Sequence, residues 1–297
     1  MKFGKVPNPE LIDFTLVKTH QKTVKLLSSF NKVDTPNIYV GCAKWNKADL
    51  KGFYPKGTKD ELGYYSKQFN SIELNATFYR QYSAEQFEKW QLKTPKGFKF
   101  FPKLTQDISH FKRLQGVQDS VNLFLDNAVH LQEKLGTIFL QMHEGFNSSN
   151  FDSLQNFVIS WPKEIKLAIE VRNENWFNNL TVFNEYTQLL EENNIANILV
   201  DTAGRRDMLH MRLTNNEAFI RFVGANHPTD YERLDAWIYR LKEWQDLGLE
   251  NINFFIHQNI EVESPLLAAY FIKKVNKALG ADLKIPNESI NQQMSLL

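Results

Sequence analysis

Eight short runs of apolar, β-branched or aromatic residues recur along this chain, and each is followed by a stretch of helical spacing. The runs are Ile38-Tyr39-Val40, Ser71-Ile72-Glu73-Leu74, Phe98-Lys99-Phe100-Phe101, Ile138-Phe139-Leu140, Leu167-Ala168-Ile169, Ile198-Leu199-Val200, Phe219-Ile220-Arg221-Phe222 and Ile252-Asn253-Phe254-Phe255-Ile256. Helical spacing covers 59–69, 84–92, 119–134, 151–161, 182–193, a short piece at 205–211, 234–247 and 264–279. Ser264-Pro265 sets a capping hydroxyl before a first-turn proline, while Gly248 and Gly280 follow helices as C′ residues. This alternation, with right-handed crossovers, predicts an α/β protein built as a TIM-like (β/α)8 barrel. A doubly wound open sheet is the main alternative. No Gly-x-Gly-x-x-Gly or Gly-x4-Gly-Lys-Ser/Thr follows any run, so neither phosphate-loop signature of open sheets is present.

At 297 residues a single fold buries about three quarters of the surface its unfolded chain exposes, so a full core is available. The periodic part, 37–280, reads as one barrel domain. Residues 1–36 carry Pro7, Pro9 and Pro36 and one amphipathic stretch at 23–30, and read as an N-terminal extension. Residues 281–297 are polar and aperiodic and read as a C-terminal tail. Lys and Arg number 35 against 34 Asp and Glu, a net charge of +1, which excludes a strongly basic surface and leaves nucleic-acid affinity to a local patch. No window of about 18 apolar residues occurs, and the first residues lack an apolar stretch with a cleavage site. The expectation is a cytoplasmic protein with no membrane partner. Cys42 is the single cysteine, which rules out an intrachain disulfide; with no adjacent base it reads as a packed thiol.

The functional face of such a barrel lies at the C-terminal ends of its strands, and here the runs close in polar residues. They end in Gly41 to Trp45, in Glu73, Asn75 and Thr77, in Lys103 with His110 beyond, in Gln141 and His143, in Glu170 and Arg172, in Asp201, in Arg221 and Gly224, and in His257-Gln258. Glu73, Glu170 and Arg221 stand out because they lie within or against apolar runs, where an unpaired charge is costly. Alternation puts Glu73 and Asn75 on one side of their strand, and Glu170 and Arg172 likewise. Three carboxylates (Glu73, Glu170, Asp201) and three cations (Lys103, Arg172, Arg221) at one mouth fit mutual ion pairs or a polar anionic ligand better than a bare metal. His110, His143, His257, Glu73 and Asp201 show no tight ligand spacing, so no metal or cofactor is expected. Glu73 and Glu170 also fit a glycosidase carboxylate pair. Trp45, Phe78, Tyr79, Trp90 and Trp176 offer stacking surfaces, although large aromatics mostly build cores. The helix at 230–247, with Trp237, Tyr239 and Trp244, reads as a packing helix.

Several of these residues resemble the YecE-like family, domain of unknown function 72. Its Gly-x-x-x-Trp opening appears as Gly41-Cys42-Ala43-Lys44-Trp45, followed by Phe53-Tyr54-Pro55, and its most specific run as Phe69-Asn70-Ser71-Ile72-Glu73-Leu74-Asn75-Ala76-Thr77-Phe78-Tyr79-Arg80. The likeness continues through Trp90, Lys103, Ser109-His110, Gln141, Glu170-Val171-Arg172, Trp176 and Asp201, and more weakly through Arg221, Gly224, Tyr231 and Trp237. It covers roughly 38–275 and implies a TIM-barrel-like fold with a deep polar cleft and no established reaction. Similarity to metal-dependent endonuclease and sugar-isomerase barrels implies nucleic-acid or carbohydrate substrates. Three strand ends depart from the family pattern: Gln141-Met142-His143-Glu144, Arg221-Phe222-Val223-Gly224 and Phe255-Ile256-His257-Gln258.

The functional expectation is an enzyme of hydrolase or lyase type acting on a phosphate- or carboxylate-bearing substrate. Lys103, Arg172 and Arg221 would hold the anion, Glu73 or Asp201 would act as general base, and His110 would carry the proton because an unperturbed imidazole titrates near neutrality. Trp45, Asn75, Thr77, Tyr79, Gln141 and Glu170 complete the expected substrate site. The alternatives are a module that binds or processes nucleic acid in the same cleft, and a scaffold whose mouth is only a salt-bridge network.

Overall fold

The computed structural model describes residues 4–287; the parts of the expected extension and tail at 1–3 and 288–297 lie outside the described residues. Nine strands form among the described residues: β1 (Asn37–Cys42), β2 (Ser71–Leu74), β3 (Lys99–Pro102), β4 (Ile138–Gln141), β5 (Leu167–Glu170), β6 (Ala196–Asn197), β7 (Leu199–Asp201), β8 (Glu217–Gly224) and β9 (Asn251–Gln258). Every ladder is parallel, in the orders β1-β9-β8-β7, β2-β3 and β4-β5-β6. Single bridges, Phe100 to Leu135 and Lys103 to Phe139, tie β3 toward β4. The fold is thus mixed α/β with parallel sheets, and the ladders among the described residues stay three separate sheets rather than one closed ring. The sixth expected run is split at Ile198, whose N–H still donates to the Ile169 carbonyl of β5 at 3.0 Å. Between β1 and β2 a side chain takes the place of a ladder: Asn70 donates to the Ile38 carbonyl (2.7 Å) and accepts from the Val40 N–H (2.9 Å).

The helices are α1 (Gln21–Leu27), α2 (Glu61–Tyr65), α3 (Ala76–Tyr79), α4 (Ala84–Lys93), α5 (Gln118–Ala128), α6 (Phe151–Ser160), α7 (Leu180–Glu192), α8 (Thr229–Leu247) and α9 (Ser264–Leu279). The helix expected over 119–134 ends at Ala128 and continues as a 3-10 turn in which Gln132 has φ 52°. At the end of that turn the Lys134 ammonium donates to the Gln91 and Thr94 carbonyls at the end of α4 (2.5 and 2.6 Å). The start of α8 falls before the expected 234, because Asp230 accepts from the N–H groups of Ala225 and His227. Ser264 does not cap α9; its hydroxyl donates to Glu261 at 2.7 Å. Gly248 (φ 120°) and Gly280 (φ 70°) end α8 and α9 as expected.

Both faces of the strands are buried, and alternation sorts them into two clusters. Ile38, Val40, Ile72, Phe100, Ile138, Ile169, Leu199, Ile220 and Phe254 pack outward with residues of the helices. Phe101, Phe139, Ala168, Ala196, Val200, Phe219 and Phe255 form the inner cluster, with small Ala168 and Ala196 opposite large rings. The described part of the N-terminal segment runs along residues 202–213 and α8: Gly204 donates to the Gly4 carbonyl (2.8 Å), Arg240 to Val17 (2.8 Å), and the Trp244 indole to Thr19 (2.9 Å). No helix among the described residues is long and apolar enough to cross a membrane.

Gly41 sits on β1 against the backbone of Ser71 on β2. A Cβ there would lie 2.3 Å from the Ser71 carbonyl oxygen, a backbone atom that cannot rotate aside. Gly41→Ala is therefore expected to cost about 1–3 kcal/mol as overpacking, read as a lower midpoint in thermal unfolding. An unchanged midpoint would contradict this close approach.

Candidate functional site

One layer above the inner aromatic cluster, the same alternation turns polar. Glu73 follows Ser71 on β2, Lys103 follows Phe101, Gln141 follows Phe139, Glu170 follows Ala168, Arg221 follows Phe219 and His257 follows Phe255, each two residues on and so on the same face. Six strands thereby deliver six polar side chains to one level.

Arg221 is the hub. Its Nε and Nη2 donate to Glu73 Oε2 and Oε1, both at 2.9 Å, in a bidentate pair, while Nη1 donates to Glu170 Oε2 (2.5 Å) and Gln141 Oε1 (3.1 Å). Arg172 closes the other side, from Nε to Glu170 Oε1 (2.5 Å) and from Nη2 to Gln141 Oε1 (2.8 Å). Glu73 also accepts from Asn75 (2.7 Å) and pairs with His257 Nε2 (2.9 Å), a contact that fixes the proton on that nitrogen because the carboxylate can only accept. Burial pushes both carboxyls up, but the neighbouring guanidiniums outweigh it: Glu73 is held well below the usual carboxylate range, and Glu170 falls to about 2.

Lys103 breaks this pattern of mutual satisfaction. It is 6% exposed, and its ammonium lies over the Phe78 ring, 3.9 Å from the centroid, with no hydrogen bond or ion pair to any of the described residues. Burial, reinforced by the charges of Arg221 and Arg172 and opposed by Glu170 and Glu73, lowers its pKa to about 7. The bookkeeping of charge is simple: two carboxylates neutralise two guanidiniums, and a protonated Lys103 is the surplus.

Lys103 opens into a cavity of about 940 Å³ at the C-terminal strand ends, lined also by His110, His143, Arg172, Arg221 and His257. Lys44 and Lys51 add cations at its edge, with Asp49 and Glu261 as the acidic side chains of the lining, and Asp49 already pairs with Lys44 at 3.0 Å. Tyr79, Phe111 and Ile260 line it while remaining largely exposed. His110 Nδ1 shares a 2.9 Å hydrogen bond with the Ser109 hydroxyl, and its ring stands edge-on to Phe78 and His143.

The expected site residues thus separate. Tyr79, Asn75, Lys103, His110, Gln141, Arg172 and Arg221 line the cavity, and Glu73 and Glu170 lie directly behind it. Glu73, one of the two expected general bases, has both oxygens occupied by donors, and the Arg221 guanidinium outweighs burial to hold its carboxyl well below the usual carboxylate range. Asp201, the other expected base, is on the helix-facing side of β7, where it accepts from Trp237 (2.8 Å) and Arg233 (2.9 Å) and pairs with Arg206. His110 does not titrate near neutrality; burial and the charge of Lys103 lower it to about 4. Thr77 is structural, donating to the Leu74 and Lys103 carbonyls (2.8 and 2.7 Å) and accepting from the Lys103 N–H, which holds the end of β2 to that of β3. Trp45 packs edge-on against Trp90 and is not among the lining residues. His257, His143, Phe78, Lys44 and Lys51 belong to the site but were not counted in it from sequence. For His257 the signal was present, since it shares its strand face with Phe255.

Among the described residues no group of three or more His, Cys, Asp or Glu side chains is placed to hold a metal ion. The arrangement instead supplies fixed guanidiniums, one ammonium that titrates near neutrality and a neutral imidazole around an open cavity.

The family model described as Protein of unknown function DUF72 matches residues 39–290. UPF0759 protein YecE of Escherichia coli K12 is 26% identical over 277 residues, covering 85% of this chain and 98% of that protein. UPF0759 protein YunF of Bacillus subtilis is 29% identical over 153 residues, covering 47% of this chain and 52% of that one. Among solved structures, a DUF72 family protein from Enterococcus faecalis superposes with a TM-score of 0.66 at 18% identity, over 84% of this chain and 100% of that one. A DUF72 family protein from Thermotoga maritima gives 0.60 at 22% identity, over 81% and 99%.

Proposed function

The chain belongs to the family of proteins of unknown function DUF72, and from that premise we propose that it is an enzyme acting on a small substrate that carries a phosphate or carboxylate, bound in the cavity at the C-terminal strand ends. One observation carries this reading: a nearly fully buried lysine with no acceptor among the described residues, in a cluster whose other charges already cancel. A charge left unpaired in such a place is costly, and an anion in the cavity removes the cost. Arg172 and Lys103 would face the anion, Gln141 directly and Arg221 through Glu170 would fix Arg172 in place, and His110, neutral at physiological pH, would relay a proton.

The same reading takes the strands to be wrapped in barrel order, with the Asn70 amide spanning the gap between β1 and β2, over a domain at 37–280 flanked by an extension at 1–36 and a tail at 281–297. It places the protein in the cytoplasm.

Isothermal titration with sulfate, whose charge is constant across the pH range that matters, tests it. Sulfate is expected to bind near pH 6 and to weaken by up to about tenfold per pH unit once Lys103 loses its proton above about 7. No binding at millimolar sulfate near pH 6 would overturn the proposal. Binding only of oligonucleotides, erased steeply by salt, would point instead to a nucleic-acid module.

A further inference from the structure

The site geometry points to Lys103 as a nucleophile: we propose that its ε-amine forms a Schiff base with an aldehyde or ketone that also carries a carboxylate or phosphate. This deepens the functional reading above and rests on it for the anionic end of the substrate.

A Schiff-base lysine must be buried enough to shed its proton, open on one side to a carbonyl, and supplied with a partner that handles the proton and water. Lys103 meets the first condition by its burial, by the charges of the Arg172 and Arg221 guanidiniums at the ends of β5 and β8, and by lacking among the described residues any acceptor that would hold it as an ammonium. Glu73 and Glu170 also face it, but each is already paired with guanidinium. Desolvation beside other cations is a general route to an activated amine. Lys103 lines the open cavity, which meets the second condition, and its ammonium lies over the ring of Phe78, another lining residue. His110 meets the third: it lines the same cavity, is kept neutral, and has its Nδ1 engaged by Ser109, which leaves Nε2 for the exchange.

The step balances without a further reactant. The neutral amine adds to the carbonyl carbon, forming the C–N bond as the C–O π bond breaks, and an amine proton passes through His110 to the oxygen. The carbinolamine then takes up through His110 one solvent proton, equivalent to the one the ammonium gave up, and its hydroxyl leaves as water, giving a protonated imine whose positive charge sits where the ammonium was. The substrate's carboxylate or phosphate lies against Arg172 and counters that charge. A lyase or isomerase reaction at the adjacent carbon would use the imine as its electron sink.

The test is reductive trapping on the full chain with glyoxylate, the smallest aldehyde bearing a carboxylate, and cyanoborohydride near pH 7, read by peptide mass mapping. Lys103 is expected to be modified on the order of a hundredfold faster than the other lysines, because its neutral fraction is far larger than that of an ordinary lysine. The rate should fall as pH drops below about 7, and sulfate should slow it about tenfold. Lys103→Arg should leave only the slow, uniform background, with circular dichroism confirming that the variant is folded. Modification of Lys103 no faster than that of other lysines would overturn the inference. Sulfate binding without selective trapping removes the Schiff base and leaves the anion site standing. Selective trapping that sulfate neither slows nor binds alongside removes the anion site and leaves the reactive amine.

Discussion

Replacing Arg221 by Met is expected to destabilise the protein by about 3–5 kcal/mol near neutral pH, the cost of leaving the buried Glu73 carboxylate without its guanidinium and Glu170 with only one. Arg221 makes the bidentate pair with Glu73 and the 2.5 Å contact with Glu170, and all three side chains are almost wholly buried. The loss should depend on pH with a definite sign. In the native protein both carboxyls sit below their unfolded values, so their stabilising contribution is present above about pH 4.3 and is lost as pH falls through the folded values, about 2 for Glu170. Without the guanidinium, Glu73 loses its largest opposing charge and burial carries its folded value above the unfolded one, while Glu170 keeps Arg172 beside it. The variant's native state then holds extra protons, and its stability falls as pH rises. Denaturant unfolding should therefore show a larger deficit at pH 8 than at pH 5. A deficit below about 1 kcal/mol, or one independent of pH, would mean that the cluster is not organised around Arg221.

Lys103→Met should do the reverse to stability while abolishing sulfate binding. Methionine fills most of the same volume without the charge. The folded lysine titrates at about 7, below its unfolded value, so the wild-type protein carries a penalty that is complete below about pH 7 and disappears as pH rises toward the unfolded value near 10.4. The variant is then expected to be more stable than wild type near pH 6, by on the order of 3–5 kcal/mol at most, with the gap closing by about pH 10. Gain of stability with loss of ligand affinity is what a site under strain for function produces. A variant that is less stable at every pH, or that still binds sulfate, would remove Lys103 from the centre of the site.

Much of this site was readable from alternation alone. Glu73, Gln141, Glu170 and Arg221 each stand two residues from an inner-face residue on their own strand, and the expected convergence of Glu170 with Arg172 is realised as a 2.5 Å pair. The same rule would have excluded Asp201: it shares parity with Leu199, which packs toward the helices, and its carboxylate accordingly meets Trp237 and Arg233 of α8. Lys103 was legible as a cation at the mouth but not as the unpaired one. That distinction depends on which guanidinium takes which carboxylate, and so on pairings between β2, β5 and β8 that no local pattern encodes. The strand-helix beat located each sheet element within a few residues. It gave no sign that the Asn70 side chain would stand in for a ladder between β1 and β2, since that depends on how the strands splay rather than on either strand's sequence.

Lys103, without an acceptor among the described residues, is the surplus, titrating charge of an otherwise neutralised cluster. Its titration can be followed directly by NMR on protein with labelled lysine side chains, using Lys103→Arg to assign the signal. The predicted result is a midpoint near 7 that moves upward when sulfate is added. A midpoint near that of an ordinary lysine, about 10.4, and unmoved by sulfate, would contradict it.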